Sequence, residues 1–181
     1  MSLVLFAAAV SVVTLCEVEF ARATTPSGFT GETKAKGTFA AFQVFNQLSR
    51  NSLPAGFPES TWFSFEKTGG PSDVYVQSNT WLPGGSTGWH KHPGHSLIII
   101  TSGQVTQYEA DCTPHVYGRE TENGPTLVDS GNDVHLIRNE SPDIPATGYA
   151  VQTVPYNPED PKNPNRRIDA PAPENCNIEQ P

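Results

Sequence analysis

The chain has 181 residues, of which 36% are hydrophobic and 17% charged. That suits one domain with a sizeable core and excludes disorder throughout or full membrane residence. The formal net charge of −8 at pH 7 repels phosphate backbones and anionic bilayers, and no basic stripe offsets it, so nucleic acid is excluded as a partner.

Leu3 to Leu15 is an apolar and small-residue run of 13 positions, too short for a spanning helix of ~20 residues. Ala21-Arg22-Ala23 follows and fits signal peptidase cleavage. Residues 1–23 are therefore expected to be a secretory signal, with the mature chain starting at Thr24. The alternative is an uncleaved anchor or a misassigned start. The expected location is secreted or periplasmic, with no membrane contact after cleavage. Cys16 leaves with the signal, and Cys112 and Cys176 remain. Two cysteines in an exported chain predict one disulfide, the alternative being two free thiols.

Residues 24–60 form a lead-in. Phe39, Phe42, Phe45 and Leu48 recur at three-residue steps, which predicts a short amphipathic helix over Thr38 to Arg50. From Thr61 the period becomes that of strands. Trp62–Phe65, Val74–Leu82, His95–Thr101, Gln104–Tyr108, Thr126–Asp129, Val134–Arg138 and Gly148–Val154 are short runs separated by Gly and Pro turns. Such spacing predicts an all-β sandwich or barrel over residues 61–155. Residues 156–181 are a Pro-rich, irregular tail with too little apolar content to fold alone; Cys176 is expected to pin it to the barrel.

The chemistry concentrates in Gly84 to Gly103, GGSTGWHKHPGHSLIIITSG. On an extended chain alternate residues share a face, so His90 and His92 point together while Trp89 and Lys91 point away. His135 lies on a later strand that a closed sheet can bring opposite. Three neutral imidazoles suit Fe, Zn, Cu, Ni or Co and leave coordination positions open. The competing reading is three packed or hydrogen-bonded histidines without metal.

These segments resemble the two motifs of the cupin family. Gly84, His90, His92 and Gly103 fall on the first motif, G-x5-H-x-H followed by an acidic Glu and then Gly; Ser96 stands at the Glu position. Gly124, His135 and Asn139 fall on the second, G-x5-P-x-G-x2-H-x3-N; Ser130 replaces its Pro and Asn132 its second Gly. The motifs cover about residues 84–139. Segments TGWHKHPGHSL, VHLIRNE and RRIDAPAPENC are similar to small secreted bacterial cupins of unknown activity. The resemblance implies a jelly-roll β-barrel, one transition metal ion (Fe, Zn, Cu, Co, Ni or Mn) on His90, His92 and His135, and a homodimer. With Ser96 a poor ligand, loss of the carboxylate should favour metals content with nitrogen.

Other residues have plainer expected roles. His95 is a turn residue that a local shift could make a fourth ligand. Asn139 is a strand-end hydrogen-bonding residue, Arg138 faces outward, and His115 is a solvated loop residue. Leu97, Ile99, Tyr75, Tyr108, Trp81 and Trp62 could line a cavity. No paired carboxylates, Ser-His-Asp triad or phosphate loop appears, and no dedicated acid or base stands beside the histidines. Three functional classes stay open: a metal-dependent enzyme, most simply an oxygenase; a non-catalytic binder of a small organic molecule; and a structural or metal-holding envelope protein.

Overall fold

The computed structural model describes residues 23–48, 62–159, 166–176 and 178. The expected signal, apart from Ala23, lies outside them, as do Arg50, residues 51–61 and residues 160–165. The described residues form twelve strands and no helix. In chain order they are β1 (Ser27–Phe39), β2 (Gln43–Leu48), β3 (Trp62–Lys67), β4 (Ser72–Ser86), β5 (His90–Lys91), β6 (Ser96–Ser102), β7 (Gln104–Glu109), β8 (Pro114–Gly118), β9 (Thr126–Asp129), β10 (His135–Arg138), β11 (Ala146–Pro155) and β12 (Ile168–Asp169).

Ten strands make one antiparallel, nearly closed barrel, consistent with a cupin jelly roll. One wall runs β1-β4-β11-β6-β9 and the other β8-β7-β10-β5-β12. They join where Arg138 on β10 pairs with Ser86 at the end of β4. β2 and β3 form a separate two-stranded sheet.

The helix expected over 38–50 is corrected wherever that span is described. Thr38 and Phe39 end β1, opposite Asp73 and Ser72, and Gln43–Leu48 is β2, with Phe45 opposite Phe65. The three-residue spacing of the phenylalanines came from a strand, a bend and a second strand. Aromatic residues gain little from a helix, and available cross-strand partners outweigh so weak a local preference.

Along β6, Ser96, Ile98 and Ile100 point inward while Leu97 and Ile99 are half exposed. The expectation that Leu97 and Ile99 line the interior is therefore reversed in phase. Ile98 and Ile100 pack with Trp81, Val105, Leu127 and Ile137 in the main core. Gly103, at φ 67°, makes the tight turn into β7, a backbone region that a side chain disfavours.

The second core lies outside the barrel wall. Trp89, fully buried, packs with Leu136, Ala170 and Cys176. The tail is thus a cover for that wall. Ile168 and Asp169 pair with Lys91 and His90, and the Ala170 N–H donates to the Trp89 carbonyl at 3.0 Å. Thr24 joins the same seam through its N–H to the Ala170 carbonyl at 3.2 Å. Cys112 and Cys176 stand at disulfide distance, their Cα atoms 5.4 Å apart.

Closing a loop across a sequence separation of 64 should stabilise the fold by about 2–4 kcal/mol. Cys176→Ser is expected to lose that amount in denaturant unfolding without reductant, and to shift Trp89 emission to the red. A loss within error of zero would mean that packing alone holds the tail.

Candidate metal centre

β5 and β10 run antiparallel with His90 directly opposite His135. His92 follows β5 by one residue on the same side. The His90 and His135 rings are 4.4 Å apart between centroids, His90 and His92 4.7 Å, and His92 and His135 5.5 Å. One ligand atom from each lies within 4.8 Å of the others. The three expected residues are brought together, and they could hold a metal ion.

The outer ring nitrogens explain why the inner ones converge. His90 Nδ1 meets the Gly88 carbonyl at 2.8 Å, His135 Nδ1 the Asp133 carbonyl at 3.0 Å, and His92 Nδ1 the Arg166 carbonyl. A carbonyl only accepts, so each Nδ1 carries a proton and donates it there, which leaves Nε2 as the inward-facing nitrogen. This is the arrangement that fixes tautomer and orientation in metal-ligating histidines. Burial keeps His90 well below the ordinary imidazole pKa of 6.5, assisted by the Arg167 charge and by the repulsion that a proton on His135 or His92 would add. Burial also lowers His92, against the pull of the Arg166 carbonyl and Asp129. Both rings are neutral near pH 7, as ligands must be.

Asp129 was not singled out in the sequence. It ends β9, directly across from Ser96 on β6. Its Oδ1 accepts the Gly131 N–H at 2.7 Å. Its Oδ2 lies 3.3 Å from His92 Nε2 and 3.7 Å from His135 Nε2. Asp129 Oδ2 and His135 Nε2 are both buried without a hydrogen-bond partner among the described residues. Two acceptors facing each other inside a protein are costly unless something positive lies between them. Ligand atoms ~2.1 Å from a common ion sit ~3.0–3.4 Å apart; the Asp129–His92 separation matches that span and the Asp129–His135 separation is longer, while the three imidazoles by themselves form the cluster that could hold an ion.

Local backbone sets this geometry. Gly131, at φ 105°, offers its carbonyl to the His92 N–H at 2.7 Å while its own N–H holds Asp129. A Cβ there would fall 2.4 Å from the Gly94 carbonyl oxygen. The glycine that the motif places at Asn132 has moved one position. Asn139 is fully buried, and its Nδ2 donates to the Trp81, Leu82 and Ile144 carbonyls, which is the expected strand-end role. His95 is not part of the cluster. His115 lies on β8 and is half-buried, not in a solvated loop. Trp62 is exposed on β3.

A cavity of about 190 Å³ adjoins the histidines. Trp81, Ile98 and Ile137 give it an apolar side, Gln77, Asn79 and Gln152 a polar one, and Arg166 and Arg167 a cationic edge.

No family model and no curated protein matches the chain. Among solved structures it is similar to a cupin-like protein from Thermotoga maritima, with 20% identity, 55% of this chain and 65% of that one covered, and TM-score 0.42. It is also similar to a cupin superfamily protein from Desulfitobacterium hafniense, with 12% identity, 68% and 82% covered, and TM-score 0.39. A third is a polyketide cyclase from Streptomyces resistomycificus, with 17% identity, 50% and 66% covered, and TM-score 0.40. The chain thus spans about two thirds of the length of two of them.

In metal-free protein the lowered imidazoles make stability depend on pH. The unfolded chain takes up protons near pH 6.5 and folded His90 and His92 only below it. Their contribution is complete above about 6.5 and is lost as pH falls, by up to ~1.4 kcal/mol per pH unit for each ring. Urea unfolding of chelated protein between about pH 7 and 5.5 should show this slope, and His90→Gln should flatten it. Equal slopes in the two proteins would contradict neutral burial of His90.

Proposed function

We propose that this chain is an exported, metal-dependent enzyme of cupin type, acting on a small organic molecule beside a metal held by His90, His92, His135 and Asp129. The observation that carries the reading is the set of three Nε2 atoms aimed inward by main-chain carbonyls, with an unpartnered buried carboxylate oxygen against two of them. Asp129 takes over the charge that the motif assigns to position 96, because the two positions are cross-strand neighbours. A nitrogen-only site would favour Zn, Cu or Co. With a carboxylate the preference moves towards Fe, Mn, Co or Ni, whose higher coordination leaves room for substrate.

When bound, such an ion would polarise a substrate oxygen or engage O2. The protein's own contribution is to orient and shield. Trp81, Ile98 and Ile137 keep one side of the cavity dry, and Gln77, Asn79 and Gln152 offer hydrogen bonds on the other. Among the described residues no Asp, Glu or Lys lines the cavity, and proton transfer is assigned to substrate, water or metal-bound groups. A metal-holding role alone would not need a cavity with polar and apolar walls. Export is supported by the Cys112–Cys176 pair and the leader pattern. No helix among the described residues is long and apolar enough to cross a membrane.

The decisive measurement is plasma mass spectrometry on periplasmic protein purified without a histidine tag. About one equivalent of a transition metal is expected in the wild type and none in His90→Ala/His92→Ala. Asp129→Asn should weaken metal affinity by roughly tenfold to a hundredfold. A well-folded, metal-free wild type would sink the ligand assignment. Ligand-induced stabilisation that survives chelation would then favour the non-catalytic binder.

A further inference from the structure

We infer that the cavity takes a small carboxylic acid, its carboxylate held by the guanidinium groups of Arg166 and Arg167. This rests on the proposed metal centre for the placement of the acid's far end, though the arginine contacts stand independently of it.

Arg166 and Arg167 belong to the tail yet line the same cavity as His90, His92 and His135. Arg166 stands over the Tyr75 ring, its Cζ 4.3 Å from the ring centroid. Arg167 is held by Nε to Asp169. Each retains a buried nitrogen, Nη1 of Arg166 and Nη2 of Arg167, with no hydrogen-bond partner among the described residues. A buried guanidinium N–H without an acceptor is destabilising, and arginine stays charged at any physiological pH. Two such donors at one cavity edge ask for an anion.

Among the described residues the cavity lining has two cations and no carboxylate; Asp169 pairs with Arg167 through Nε, and the Asp129 charge is turned to the histidines. A resident metal ion would make the surroundings still more positive. The planar fork of arginine matches a carboxylate, which accepts from two N–H groups at once. A cavity of about 190 Å³ admits an acid of a few carbons and no more. The amides of Gln77, Asn79 and Gln152 offer further hydrogen bonds along its length. The Arg166 carbonyl, which orients His92 and accepts from Gln152 at 3.3 Å, belongs to the main chain. Replacing either arginine side chain therefore leaves that anchor in place.

The test is calorimetric titration of the full mature protein with acetate, malonate and succinate, with malonamide as the uncharged comparison, and with metal content measured on the same samples. At least one acid should bind and malonamide should not. Arg166→Gln and Arg167→Gln should each weaken the acid ~10-fold or more at unchanged metal content. Arg166→Lys and Arg167→Lys, which keep the charge and lose the fork, should fall between, and they serve if a Gln variant fails to fold. Equal binding of malonamide, wild-type affinity in the folded arginine variants, or no binding by any of the acids would overturn the anion site. A metal-free protein that still binds the acid through its arginines would overturn the metal centre and leave this inference standing.

Discussion

The site depends on a hydrogen-bonding constraint at the outer edge of three rings. A neutral imidazole has one proton for two nitrogens. Here the main chain claims that proton at every Nδ1, through the carbonyls of Gly88, Asp133 and Arg166. The inner nitrogens are left as acceptors, and Asp129 adds another. Swapping tautomers would not relieve the crowding, because Nδ1 would then turn a lone pair to a carbonyl lone pair. Protonating His90 or His92 is opposed by their burial. A bound cation would relieve the crowding and leave every outer hydrogen bond intact.

Much of this was legible in the sequence for a simple reason. Strand periodicity of two places His90 and His92 together, and a closed sheet brings a third histidine opposite. Asn139 was legible for a similar reason: a buried amide at a strand end collects stray carbonyls. What stayed hidden were the relations set by register. Nothing local to Asp129 marks it, since only the β6–β9 pairing places it across from Ser96. The same holds for the inward phase of β6, where an unbroken apolar run gives no alternation to fix which of Leu97 and Ile98 faces the core. The first phenylalanines misled because a bend between two strands copied helical spacing.

Asp129 and Gly131 stand close in space or sequence to the two positions where the resembled motifs carry a Glu and a Gly. The acidic group expected at 96 has a counterpart one strand away, and the glycine expected at 132 sits at 131. Gly131 ties the two changes together, holding Asp129 by its N–H and His92 by its carbonyl. A carboxylate reaching in from β9 needs its backbone turned just beyond the strand end, and only a residue without a side chain fits beneath Gly94.

The tail makes the site a property of the whole chain. Arg166 offers its carbonyl to His92 and its side chain to Tyr75, and the next four residues zip onto β5 and Trp89. The histidine geometry and the docking of the tail therefore share hydrogen bonds, and what stabilises one must stabilise the other. A ligand bridging the arginines and the histidine cluster would draw on this coupling. The Cys112–Cys176 link lies at the far end of the same seam, so a covalent tie outside the barrel fastens the tail to the wall that carries His90 and His135.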